Sequence, residues 1–202
     1  MKLRIVIVAA VVVLAGATPT RADPLYGHYI GRFVAEFDSD GRKVKLIEPY
    51  SFVDPDGKKW DVPAGYLTDG ASVPSVLWAI YPPFTGAYRS AAVIHDFYCD
   101  NKETTWQDTH KVFYNAMRAA DVDENDAKIM YGAVYLFGPR WGPGTAPGQR
   151  NAAPPASPEQ QEAIVEKLKA FVETENPDLD SIEAEAKRMA RRPVAPLRDD
   201  AE

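Results

Sequence analysis

The sequence predicts an α+β fold, in which a small N-terminal antiparallel β meander precedes a helical core and a C-terminal helical tail. Residues 23–66 indicate the meander, because short alternating runs such as GRFVAEF are separated by the turn signals DSDG and DPDG. From residue 87 onward, apolar residues recur every three or four positions, which is typical of amphipathic helices. With 202 residues, 46% of them hydrophobic, the chain is long enough for one domain with its own core.

The beginning of the chain has the pattern of a secretory signal peptide. Lys2 and Arg4 precede an apolar run from Ile5 to Ala17, and small residues surround a cleavage position after Ala22. The apolar run is too short for a comfortable transmembrane helix. We therefore expect a periplasmic or secreted protein with no membrane span after cleavage. The formal net charge of −6 argues against a nucleic-acid partner.

The chain divides into four expected segments. These are a signal peptide (1–22), an α+β domain (23–140), a linker rich in Pro and Gly (141–157) and a helical tail (158–202). The tail opens with strong helix-start signals, because Ser157 can cap the helix, Pro158 suits its first position and Gln160 completes a capping box. We expect the tail either to dock on the domain or to stay mobile.

A His-Asp pair at the end of one predicted helix is the first candidate for chemistry. His95 and Asp96 lie near the end of the helix AYRSAAVIHDFYC, and Asp108 lies near the start of WQDTHKVFYNAMRAA. The short connection predicts an antiparallel helix pair, which brings the end of one helix beside the start of the next. Asp108 shares one side of its helix with Val112 and Asn115, so we expect it to point towards His95. A carboxylate on one imidazole nitrogen would leave the other free to take a proton from water.

The stretches HDFYC and DTHKVFYNAM resemble the catalytic helix pair of the secreted phospholipase A2 superfamily, most closely its prokaryotic branch. The resemblance implies a metal-assisted hydrolase with calcium as cofactor and a lipid or another small ester as substrate. It also implies a role for each matching residue. His95 would be the general base, Asp108 the acid that orients it and Asp96 a calcium ligand. The preceding loop GYLTDGASVP would supply carbonyl ligands and Asp69 as a further metal ligand, and an apolar substrate would contact Tyr66, Phe97 and Tyr98.

A second resemblance covers more of the chain. The stretches VPAGYLTDGASVPSVLWAIYPP, AYRSAAVIHDFYC and MYGAVYLFG are similar to a domain-of-unknown-function family of phages and bacteria, over about residues 30–140. That family carries the Thr-Asp-x-x-Ser-x-Pro and His-Asp motifs together. The resemblance therefore links Asp69 and Ser72 to His95 as one unit.

Two other interpretations of the same residues stay open. One is a transition-metal phosphohydrolase that uses His95, Asp96 and Asp108 with His110 or His28. The other is a non-enzymatic periplasmic or phage-derived binding or structural module, in which the charged residues serve the helix ends.

Two side chains near His95 and Asp96 are expected to take no part in the candidate site. Because His110 lies two residues after Asp108, it should occupy another helical face and point to solvent. Cys99 is the single cysteine and cannot close an internal disulfide. It is either a buried small side chain or a thiol open to intermolecular pairing.

Overall fold

The described part of the chain contains six strands and five α-helices, which confirm the predicted α+β class. The structure is a computed structural model that describes residues 24–38, 43–69, 74–77, 81, 86–147 and 157–191. The strands are β1 (His28–Ile30), β2 (Ala35–Phe37), β3 (Val44–Leu46), β4 (Tyr50–Val53), β5 (Lys59–Val62) and β6 (Leu67–Thr68). The helices are α1 (Arg89–Asn101), α2 (Trp106–Ala119), α3 (Glu124–Phe137), α4 (Pro158–Glu175) and α5 (Leu179–Arg191), and single 3-10 turns lie at Pro24–Tyr26 and Ser75–Leu77.

The strands form two small antiparallel sheets. One has the order β1-β4-β5 and the other the order β2-β3-β6. Phe52 of β4 and Trp60 of β5 are cross-strand partners, and both side chains are fully buried. The first sheet lies against the helix pair, because the Tyr29 hydroxyl of β1 donates a hydrogen bond to the Ala116 carbonyl of α2 at 2.7 Å.

Helices α1 and α2 form the predicted antiparallel pair, joined by four residues. Lys102 follows α1 as its C-cap, and its φ of 56° places it in the left-handed region and turns the chain. Thr105 then caps α2, because its side chain accepts a hydrogen bond from the backbone N–H of Asp108. The tight connection fixes the end of α1 beside the start of α2, where the candidate residues lie.

Helix α3 is the centre of the helical part. Residues 127–136 are all buried, because α2 covers one side of the helix while α4 and α5 cover the other. Helix α4 begins with the predicted capping box at Ser157 and Gln160. Gly132 makes the close approach of the tail possible, because a Cβ atom there would lie 2.6 Å from the Leu168 side chain. The tail therefore docks on the domain through residue 191.

Some predicted features lie outside the described residues. They are the signal segment, Ser72 and part of the linker. Among the residues that the structure describes, no helix is both long enough and apolar enough to cross a membrane.

Candidate functional site

Three side chains that can bind a metal ion meet in the interior of the α1–α2 pair. His95 and Cys99 lie one turn apart on α1, and His110 lies opposite on α2. The His95 Nε2 atom is 2.8 Å from His110 Nδ1 and 3.6 Å from Cys99 Sγ. The three ligand atoms lie within 4.8 Å of one another, and all three residues are buried. We call these residues the His–Cys cluster.

The helical repeat explains why these residues meet. Residues four positions apart lie on one face of a helix, so His95 and Cys99 share the side of α1 that faces α2. On α2, His110 shares a face with Phe113 and Met117, both fully buried. The Phe113 ring lies 4.8 Å from the His95 ring between centroids.

The chain after α3 closes the cluster on a third side. At Gly138 an ideal Cβ atom would lie 2.3 Å from the Val134 carbonyl oxygen and 3.2 Å from the Cε1 atom of His110, so a side chain there would clash with the backbone and press on the ring. The adjacent Pro139 backbone favours the protonated form of His110. The His110 Nε2 atom nevertheless has no partner at normal hydrogen-bond geometry among the described residues.

Both imidazoles of the cluster are held neutral. Burial lowers the pKa of His95 to about 3, because the charged form loses its hydration. The pKa of His110 also lies well below its usual value, first through burial and then through the positive charges that His95 and Arg140 can carry. A neutral imidazole keeps a free lone pair, which is the form that binds metal ions.

A buried carboxylate lies on the outer side of the cluster. Asp96 is 3% exposed, and its Oδ1 atom is 4.0 Å from the Nδ1 atom of His95. The Thr68 hydroxyl of β6 donates a short hydrogen bond to Asp96 Oδ2. The order of contacts is therefore Thr68, Asp96, His95 and His110, running from β6 through α1 to α2.

The prediction that Asp108 contacts His95 is wrong. Asp108 is exposed at the start of α2, where it lines a surface groove with Asp54 and Lys58 of the β4–β5 hairpin. Its carboxylate accepts a hydrogen bond from the Thr104 hydroxyl at 3.3 Å. The side of α2 that carries Asp108 therefore faces the hairpin and not α1.

The expectation that His110 points to solvent is also wrong. His110 is fully buried, because the face of α2 that packs in the core passes through it and Phe113. Of the two readings of Cys99, the buried side chain is confirmed, since its exposure is 3%. Sequence reasoning missed Cys99 as a candidate ligand, although the four-residue spacing from His95 to Cys99 was a visible signal, and it named His110 only in the transition-metal interpretation.

The remaining predicted residues lie on two other sides of α1. Tyr66 and Phe97 pack edge to face at 5.1 Å, and the Tyr66 hydroxyl donates to Asp100. Tyr98 lies towards β5, where its ring packs on Trp60. Asp69, the predicted second metal ligand, is exposed and directly follows Thr68. The structure thus brings Tyr66 and Phe97 together, and Tyr98 contacts Phe97 edge to face at 5.3 Å while it packs on Trp60.

The donor set of the cluster fits a transition metal ion. Imidazole nitrogen and thiolate sulfur suit Zn²⁺ and Cu⁺, whereas Ca²⁺ takes oxygen ligands. A tetrahedral ion with bonds of about 2.0–2.3 Å holds its ligand atoms roughly 3.3–3.7 Å apart. The separation of 3.6 Å between Cys99 Sγ and His95 Nε2 meets this value. The separation of 2.8 Å between the two imidazoles must open by about half an ångström, as rotation of the rings allows.

Two curated relatives from Sinorhizobium fredii (strain NBRC 101917 / NGR234) are similar to this chain. The uncharacterized protein y4jT is 43% identical over 66% of this chain and 40% of its own length. The uncharacterized protein y4iH is 39% identical over 62% of this chain and 53% of its own length. The chain thus spans about half the length of these relatives, or less.

No solved structure matches the chain. The comparisons do not support the resemblance to phospholipase A2, and they do support a domain of unknown function. Residues 44–134, which include the whole His–Cys cluster, match the family described as Protein of unknown function (DUF1353).

Proposed function

We propose that this domain binds a transition metal ion of the zinc class through His95, Cys99 and His110. One observation carries the proposal: two imidazole nitrogens and a thiol sulfur, all buried, lie within 4.8 Å of one another. The ion would join α1 to α2 inside the core. Such a centre makes the domain a metal-binding module, which develops the non-enzymatic interpretation of the sequence.

The surroundings of both imidazoles favour this assignment. Metal-bound histidines commonly donate their second ring N–H to a carboxylate or a backbone carbonyl. Ligation through Nε2 of His95 would leave its Nδ1–H towards Asp96, 4.0 Å away. Ligation through Nδ1 of His110 would leave its Nε2–H inside the protein, and the Pro139 backbone acts on this ring. A carboxylate thus lies near the His95 ring and a backbone segment near the His110 ring.

The proposal is tested by the metal content and thermal stability of the purified protein. We expect about one equivalent of zinc per chain, and an ion that binds only the native state stabilises it by about 2.7 kcal/mol at 100 times its Kd. Cys99→Ala should abolish the stabilisation while keeping the fold, because it only shortens a buried side chain. His28→Asn is the matched control, since His28 is an exposed histidine outside the cluster.

Cobalt gives a second readout that does not depend on stability. A thiolate ligand produces an intense charge-transfer absorption with bound Co²⁺, and this band should be present in the wild-type protein and absent in Cys99→Ala. A wild-type protein that takes up neither zinc nor cobalt would refute the proposal.

A calcium-assisted ester hydrolase is the second candidate. The observation that favours it is the buried Asp96 carboxylate beside His95, since a carboxylate next to an imidazole suits base chemistry. Calcium is added in the same thermal-shift series. Hydrolysis of phospholipid tests the ester hydrolase, and hydrolysis of p-nitrophenyl phosphate tests the phosphohydrolase. A closed metal centre should show neither activity. Stabilisation by calcium alone, lost in Asp96→Asn, would favour the hydrolase.

Periplasmic or secreted localisation remains part of the proposal and is tested by fractionation of the cells.

A further inference from the structure

The three ligands of the His–Cys cluster lie out of reach of solvent. His95 and His110 are fully buried, and Cys99 is 3% exposed. Aromatic rings cover both imidazoles, with Trp106 at 5.4 Å from His110 and Phe113 at 4.8 Å from His95 between ring centroids. Close-packed interiors contain few voids larger than a water molecule. A hydrated ion or a chelator is larger than that, so neither can reach the ligands while this packing persists.

The last turn of α1, which carries Cys99, is also held in place. Helix ends that lack tertiary contacts open at almost no cost in free energy. Here the Tyr98 ring packs on the buried Trp60 ring at 4.7 Å, and the Tyr98 hydroxyl accepts a hydrogen bond from the Asp61 backbone N–H at 2.9 Å. Both contacts tie the end of α1 to β5. Exposing the cluster therefore requires α1 to separate from α2 and β5, which breaks the core.

The two imidazoles can also satisfy each other without an ion. The His95 Nε2 and His110 Nδ1 atoms lie 2.8 Å apart, so that between neutral rings one nitrogen donates a hydrogen bond and the other accepts it. This pairing removes the penalty of two unsatisfied buried nitrogens. The chain can therefore fold around the cluster whether or not an ion is present, unlike a zinc finger, which is unfolded without its metal.

We propose that an ion enters the His–Cys cluster while the chain folds, and that the folded protein exchanges it only when the core opens. This inference rests on the proposed function and concerns how the same site is loaded. A site of this kind suits a permanent structural ion and not a metal sensor or carrier, because sensing and delivery both require exchange with ions in solution. The metal supply in the compartment where the chain folds then decides which ion the protein holds.

The experiment loads the full chain with Co²⁺ by two routes and follows the thiolate-to-metal absorption band. In one route, metal-free protein is refolded from urea with Co²⁺ present. In the other, Co²⁺ is added to protein that is already folded. We expect the band to form with refolding in the first route. In the second it should form no faster than the protein unfolds, at the rate given by urea unfolding kinetics extrapolated to zero urea.

Leu168→Ala separates exchange through unfolding from exchange through a local gap. Leu168 is fully buried where α4 packs on α3, and it is not among the residues that cover the cluster. Its truncation should accelerate both unfolding and cobalt uptake by the folded protein about tenfold or more. Lys167→Ala, at the adjacent exposed position of α4, is the matched control and should change neither rate. Leu168→Val is used if the alanine variant does not fold.

Three results decide the matter. Uptake no faster than unfolding, and accelerated with it in the Leu168 variant, supports the inference. Uptake that outruns unfolding, or that stays unchanged when the variant unfolds faster, overturns it and leaves the proposed function intact. A wild-type protein that shows no band by either route overturns the proposed function and this inference together.

Discussion

The contact between Gly132 and the tail can be tested by adding one methyl group. In Gly132→Ala the new Cβ would lie 2.6 and 2.9 Å from the two methyl carbons of Leu168 and 3.1 Å from Ile182. Both neighbours are fully buried and have little room to move. Replacing glycine by alanine inside a helix gains about 1 kcal/mol, whereas overpacking a core costs about 1–3 kcal/mol. We expect a net loss of about 1 kcal/mol.

A second variant should reverse the sign of this effect. Leu168→Ala removes the two nearest methyl carbons and should by itself cost about 2–5 kcal/mol, because it leaves a cavity. In that background Gly132→Ala no longer meets Leu168 and should stabilise the protein by up to about 1 kcal/mol. Urea unfolding of the four proteins completes the double-mutant cycle. The same loss in both backgrounds would mean that α4 does not pack on Gly132.

Three further predictions concern the site and its supports. In the metal-free protein, the unfolded imidazoles take up protons below about pH 6.5, while folded His95, with a pKa of about 3, stays neutral. As the pH falls from about 6.5 towards 3, the free energy of unfolding should therefore fall by up to about 1.4 kcal/mol per pH unit for each buried histidine. A free energy of urea unfolding that does not change with pH, measured with chelator present, would contradict this. Thr105→Ala removes the cap of α2 and should cost about 1 kcal/mol, whereas Thr105→Asn should keep the thermal midpoint. Tyr98→Phe removes the hydroxyl that accepts from the Asp61 backbone N–H at 2.9 Å, which should cost about 1 kcal/mol in urea unfolding; an unchanged midpoint would show that water replaces the hydroxyl.

Most of the fold could be predicted because its signals are local. The start of α2 after Thr105, the start of α3 after Asp123 and the capping box at Ser157 are each set by residues within one turn. The division of the strands into two sheets could not be read in the same way. The pairing of β1 with β4, and of β3 with β6, joins segments far apart in sequence. Nothing local distinguishes such pairs from neighbours in a meander.

The candidate site was predicted in part. The antiparallel helix pair, and the position of His95 near the end of its first helix, followed from the apolar pattern and the short connection. The partner of His95 did not, because α2 offers two faces with plausible residues. Asp108 lies on the face towards the β4–β5 hairpin, and His110 lies on the face towards α1. Only the packing of the hairpin against α2 decides between them, and that packing depends on tertiary contacts.

The family match and the folding unit have different limits. The match begins within β3 and ends within α3, so it omits β1, β2, α4 and α5. A fragment cut at residues 44–134 would leave β3 and β4 with one partner strand each instead of two, and would uncover the side of α3 that α4 and α5 bury. Unpaired strand edges and an exposed apolar helix both promote aggregation. Experiments on metal binding therefore require a polypeptide that reaches from β1 to α5, because a shorter one would lose its ligands through misfolding rather than through chemistry.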